Sequence, residues 1–137
     1  MGRIICFDYG AKRVGIAVTD EQRIISTPLD TYDTGKIFNF IDSYIRSNNV
    51  DLFVVGLPTN LKGLETDATK ISCNFIKTLK KKYKQIDVKT YDERFTSKMA
   101  KDSLIFLGKS KKYRRKKSNI DKVSASIILQ SYLQRNT

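Results

Sequence analysis

Histidine is absent from this chain, and that absence removes a Ser-His or Cys-His nucleophile pair, a histidine general base and the usual histidine-containing zinc sites. Cysteine is scarce. Cys6 and Cys73 are the two present; they form no CxxC pair and each falls among apolar neighbours, so both are expected to be buried free thiols. No stretch approaches the roughly 18–20 consecutive apolar residues of a membrane span, and the short run Ile4 to Phe7 lacks the length and cleavage site of a signal peptide. The expected address is the cytoplasm, without a membrane partner. Acidic residues number 14 against 26 Lys and Arg, leaving a net charge of +12 and a pI near 9.8. At 137 residues, 40% of them hydrophobic, the expectation is one domain over 1–137 around a single core.

The positive charge is concentrated in two places. Lys77 to Lys84 and Lys109 to Lys117 hold basic residues and no acid, while the rest of the chain balances. Each run also carries one tyrosine, Tyr83 or Tyr113, a weak signal for base stacking. The first run reads equally as the solvated last turns of a helix, where cations suit the macrodipole. The second follows Gly108 and includes Ser110 and Ser118, so it reads as a basic loop suited to phosphate contact through Lys109, Lys111, Lys112, Arg114, Arg115, Lys116 and Lys117.

Strand-like runs are expected at Arg3 to Tyr9 and Val14 to Thr19, joined by a hairpin at Gly10-Ala11-Lys12-Arg13, with a third strand over Arg23 to Thr27. Gly35 to Asn48 spaces Ile37, Phe38, Phe40, Ile41, Tyr44 and Ile45 as a helix. Val50 to Gly56 is near-continuously apolar, the mark of a central strand covered on both faces. A loop follows over Leu57 to Gly63, then a helix from about Glu65 with Ala68, Ile71, Phe75 and Leu79 on one stripe, and a strand over Ile86 to Tyr91. A helix capped by Thr96 or Ser97 ends at Gly108, and a last helix runs from about Asn119 to Gln134. The pattern predicts an α/β fold with a mixed sheet of about five strands and helices on both faces.

Three acidic positions stand out. Asp8 closes an otherwise buried strand pattern, where an ionised carboxylate is costly unless a cation or several donors answer it. Gly10 and Gly15 leave backbone room beside it, and Lys12 and Arg13 supply positive charge. The bland alternative is an Asp bonding its own turn. Asp92-Glu93-Arg94 follows a strand and precedes a helix cap, where a surface ion pair or extra capping is the ordinary explanation. Asp121 sits in Ser118-Asn119-Ile120-Asp121, which also matches a capping pattern. Together the three could converge on a hard cation, Mg²⁺ or Mn²⁺, and a basic chain with such a site fits metal-dependent cleavage of nucleic acid.

Four motifs in order, Asp8-Tyr9-Gly10-Ala11-Lys12-Arg13-Val14-Gly15, Val55-Gly56-Leu57-Pro58-Thr59-Asn60 with Gly63 and Glu65, Asp92-Glu93-Arg94-Phe95-Thr96-Ser97, and Ile120-Asp121 with Ser124-Ala125 and Ile128-Leu129-Gln130, resemble the YqgF family, also called RuvX. The resemblance implies an RNase H-like fold and a nuclease acting in 5′ maturation of pre-16S ribosomal RNA. It implies that Asp8, Glu93 and Asp121 are the catalytic, metal-holding acids, with Asp92 the alternative to Glu93, and that Lys12, Arg13 and Arg94 orient the scissile phosphate. The chain departs from the family pattern at Lys62, where the loop often carries an acid, and at Ser124. Three other readings compete: a Holliday junction resolvase acting on branched DNA, a non-catalytic RNA- or ribosome-binding protein, and an actin-like or sugar-kinase-like ATPase. The last normally needs two lobes, and the chain supplies one.

Overall fold

β-Branched and aromatic residues alternate through Arg3–Tyr9, and in the computed structural model they form β1, the strand on which the sheet is organised. The structure describes residues 2–57, 67–92 and 117–135, without the side chains of 67–68, 117–123 and 135. β2 is Arg13–Thr19, β3 Ser26–Asp33, β4 Val50–Leu57 and β5 Asp87–Asp92. Their order is β3-β2-β1-β4-β5. β2 runs antiparallel to β1 and β3, whereas β4 and β5 continue the sheet in parallel. Three helices are described: α1 at Ile37–Ser47, after a 3-10 turn over Thr34–Lys36, α2 at Asp67–Lys82 and α3 at Lys117–Arg135.

Alternation along the strands divides the apolar residues between two cores. Ile5, Phe7, Phe53 and Val55 pack with Ile37 and Ile41 of α1 and with Phe75, Ile76 and Leu79 of α2. Ile4, Cys6, Leu52 and Val54 pack on the other face with Ala125, Ile128, Leu129 and Leu133 of α3. β4 is therefore apolar throughout because both its faces are covered. On the first face Phe7 meets Phe53 and Phe75 edge-on, with ring centroids 5.6 and 5.3 Å apart. Such pairs add about 0.5–1.5 kcal/mol each beyond area burial. Neither cysteine forms a disulfide; Cys6 is buried as expected, whereas Cys73 is only half-buried. Among the described residues no helix is long and apolar enough to cross a membrane.

The third strand departs from its expected place. It spans Ser26–Asp33 rather than Arg23 to Thr27, because the Asp20 carboxylate accepts the backbone N–H groups of Ile24 and Ile25, at 2.8 and 3.1 Å. Arg23 adopts a φ of 58° in the same turn, and its guanidinium bonds the Gly2 carbonyl at 2.9 Å and pairs with Asp51. The strand-like Ile24-Ile25 pair is thus held in a turn and left 63% and 61% exposed. Pro28 is accommodated because β3 lies at the edge of the described sheet, where a missing N–H costs no ladder bond. The N-terminal turn expected in α1 is the 3-10 turn, and the remaining helix and strand bounds fall within two residues of expectation where they are described. The loop over 58–63 and the helix expected from Thr96 to Gly108 lie outside the described residues.

Candidate active site

β1, β4 and β5 are parallel, so their carboxyl ends open at one edge of the sheet, the edge at which sites form in such layered folds. Asp8 stands there, half-buried, at the end of β1. It shares its face with Ile4 and Cys6, whose partners are the apolar residues of α3. On one side Asp8 pairs with Gly15 of β2. On the other, Phe7 pairs with Val55, and one further step of that register sets Asp8 level with Gly56 of β4. Both neighbours on its own face therefore lack side chains. Among the described residues the carboxylate is therefore flanked on its own face by buried glycine backbone, an arrangement that leaves room for close approach of a ligand.

The turn next to Asp8 is held from two directions. Gly10 N–H donates to the Arg13 carbonyl at 2.9 Å, and a Cβ at Gly10 would lie 2.9 Å from that same oxygen, so the turn requires glycine. Thr34 then clamps it from the entry to α1: its N–H donates to the Lys12 carbonyl at 3.0 Å and its hydroxyl to the Gly10 carbonyl at 2.7 Å. Lys12 is exposed at the tip, and Arg13, half-buried, opens β2 opposite Asp33. Both cations thus stand on a turn fixed to the same strand as Asp8. The Thr34 clamp carries no local sequence signal, since it joins residues that only the β2–β3 pairing brings together.

On the opposite face Tyr9 stacks on Phe75, centroids 4.0 Å apart and planes 9° from parallel. Burial raises the Tyr9 phenol above its usual value, and the ring extends the α1–α2 core to the end of β1.

Asp92 ends β5 opposite Leu57. Leu52 pairs with Asp87 and Gly56 with Tyr91, so Asp87, Lys89 and Tyr91 lie on the α3 face and Val88, Thr90 and Asp92 on the α1–α2 face. Tyr91 and Val88 confirm the division by packing on the α3 cluster and on the α1–α2 cluster respectively. Asp92 is therefore not brought to the face of Asp8. Glu93 and Arg94, with Lys109, Lys111, Lys112, Arg114, Arg115 and Lys116, lie outside the described residues. Lys117 and Asp121 belong to the first turns of α3, but their side chains are likewise outside the description.

α3 is seated on the face of the sheet that carries Asp8. Asp121 precedes Ala125 by one turn and Ile128 by two, and both of those residues are buried against the Ile4–Cys6 face. Ser26 donates to the Ser126 carbonyl at 2.9 Å, and the two hydroxyls lie 3.2 Å apart, pinning the helix to the start of β3. Ser124, also buried, has no hydrogen-bond partner for its hydroxyl among the described residues. A small residue there lets α3 lie close to the sheet. Among the described residues no cluster of three metal-ligating groups occurs.

Comparison with known proteins fits this arrangement. The family model RuvX, described as Holliday junction resolvase, matches residues 2–135. A protein of Amoebophilus asiaticus named "Putative pre-16S rRNA nuclease" is 45% identical over 133 residues, covering 97% of this chain and 94% of its own. Relatives of the same name from Bacteroides fragilis and Parabacteroides distasonis are 40% and 42% identical, each covering 98% of this chain, with 97% and 96% of their own lengths matched. The solved structure of Archaeoglobus fulgidus Pelota aligns at a TM-score of 0.42 and 14% identity, over 98% of this chain and 38% of that one, too loosely to support any conclusion. With a mixed five-strand sheet of the RNase H-like kind and a family match over nearly its whole length, this chain belongs to the RuvX family.

Proposed function

We propose that this chain is a nuclease that hydrolyses phosphodiester bonds of RNA, acting in the cytoplasm at the 5′ end of pre-16S ribosomal RNA during ribosome biogenesis. The observation that carries the reading is the position of Asp8: a half-buried carboxylate at the carboxyl edge of the sheet, between Gly15 and Gly56, on the face that α3 covers. Names given to close relatives and a net charge of +12 support the nucleic-acid substrate.

The glycine backbone flanking Asp8 leaves room for a divalent cation, Mg²⁺ or Mn²⁺, held by Asp8, Glu93 and Asp121. Hard cations favour all-oxygen donor sets of this kind. Glu93 is preferred over Asp92 because Asp92 lies on the opposite face of β5 from Asp8 on β1. When bound, the cation would supply Lewis acidity, lowering the pKa of water and offsetting charge on the leaving oxygen. Lys12 and Arg13, on the clamped turn, orient the scissile phosphate, and Arg94 counters charge as it develops. The 109–117 run holds flanking backbone without reading sequence.

The test is cleavage of a 5′-extended pre-16S RNA fragment and of a four-way DNA junction by the purified chain, each with Mg²⁺ and with EDTA. Mg²⁺-dependent cutting of the RNA at a defined site, with the junction left intact, supports the proposal. Cutting of the junction alone transfers the site to branched DNA. Salt-sensitive RNA binding without hydrolysis of either substrate refutes catalysis and leaves an RNA-binding protein.

A further inference from the structure

The lysines at the end of α2 do not form a uniform solvated face. Lys82 turns towards α1, its ammonium 4.9 Å from the centre of the Phe38 ring. Lys80 and Lys84 turn the other way and meet Lys89 of β5, so that side chains from α2, the turn after it and the edge of the sheet line one open groove of about 430 Å³ together with Ile86, Asp87 and Val88. Among the described residues, no carboxylate lies within ion-pair distance of Lys80, Lys84 or Lys89. Among the described lining residues Asp87 is the single acid against three lysines, so these residues carry net positive charge. Lys80 from α2, Lys84 from the turn after it and Lys89 from β5 thus bring three like charges to one groove. A polyanion laid along the groove would meet all three at once.

The groove lies far from Asp8. Asp87 pairs with Leu52, and Leu52 with Ile4, so the groove sits at the opposite end of the sheet from the carboxyl edge. Four residues of strand rise and two strand spacings separate Asp87 from Asp8, about 16 Å. A single nucleotide held at Asp8 could not reach it, but a polynucleotide could. Because β5 ends the described sheet, no described strand blocks a path along this edge.

We propose that the groove formed by Lys80, Lys84 and Lys89 binds the phosphodiester backbone of the substrate at a point remote from the cut. The proposal rests on the reading of the chain as a nucleic-acid enzyme. It assigns the groove phosphate contact alone: three ammonium groups along a shallow, open channel neutralise charge but offer little for base recognition. Substrate length, not sequence, is what the groove senses.

The test uses the full chain and fluorescein-labelled RNAs of 6 and 20 nucleotides, with DNA of the same sequences, titrated across a series of KCl concentrations. The triple variant Lys80→Ala, Lys84→Ala, Lys89→Ala is compared with a charge-matched control at Arg46, Lys70 and Lys81, which do not line the groove. For single strands each phosphate contact contributes a slope of about −0.7 in log K against log salt. The groove variant should therefore lose about 2 from the slope on the 20-mer and most of the affinity gained on lengthening from 6 to 20 nucleotides. The control should keep both. Equal losses in RNA and DNA identify the shared backbone as the ligand, whereas a loss confined to RNA assigns the groove to RNA. An unchanged length gain in the groove variant, or an equal loss in the control, overturns the proposal while leaving the nuclease reading intact. Failure of the wild-type chain to bind either polynucleotide overturns both.

Discussion

Replacing Tyr83 by Phe tests whether α1 and α2 are joined as described. The Tyr83 hydroxyl donates to Asp42 Oδ1 of α1 at 2.6 Å, and its ring meets Phe53 edge-on at 5.6 Å. Phe keeps the ring contact and removes only the hydrogen bond. Bonds to charged acceptors contribute about 1.5–3 kcal/mol, and because Asp42 is half-exposed and water can replace the lost donor, the lower end, about 1.5 kcal/mol, applies. With an unfolding entropy of about 2.1 cal/mol/K per residue, this corresponds to a fall in Tm of about 5 °C. The pH dependence carries the sign. Burial first, and the Asp42 carboxylate second, push the Tyr83 phenol well above its usual value. The folded chain therefore keeps that proton where the unfolded chain releases it. The bond's contribution is fully present below pH of about 10 and declines as the pH rises beyond it. Thermal unfolding followed by circular dichroism from pH 7 to pH 11 is the assay. The wild-type chain should lose its advantage over the variant as the pH climbs through this alkaline range. An unchanged Tm at pH 7, or a gap between the two proteins that stays constant with pH, refutes the contact and its electrostatics.

Two further predictions concern the turn beside Asp8. Gly10→Ala forces a Cβ to within 2.9 Å of the Arg13 carbonyl, which should destabilise the chain by about 1–3 kcal/mol, as overpacking does. It should also slow RNA cleavage more than the melting shift explains, because the displaced turn carries Lys12. Lys12→Ala with Arg13→Ala removes two phosphate contacts, so the salt dependence of single-stranded RNA binding should shallow by about 1.4; an unchanged slope would take both residues off the substrate.

Different physical signals made parts of this fold legible in the sequence. β1 was readable to its ends because Ile4, Cys6 and Asp8 alternate with Ile5 and Phe7, and β4 because a run buried on both faces has no polar positions to place. β3 was misread, since Ile24-Ile25 has strand composition, whereas the Asp20 carboxylate captures their N–H groups into a turn. Only coordinates reveal that competition. The site was partly legible. Asp8 was recognisable as a charge at the end of an apolar strand, but the choice between Asp92 and Glu93 depends on which face of β5 meets α3. That strand has apolar residues on both sides, Val88 on one and Tyr91 on the other, so its pattern alone does not orient it. The Thr34 clamp and the meeting of Lys80 and Lys84 with Lys89 are products of sheet register and have no sequence signal at all.

A crystal structure of the wild-type chain soaked in Mn²⁺, read by anomalous scattering at the manganese edge, tests the central proposal most directly. The account predicts an ion bound by the Asp8 carboxylate together with those of Glu93 and Asp121, absent from a matched soak of Asp8→Asn. Manganese bound elsewhere, or bound alike in the two proteins, would contradict it.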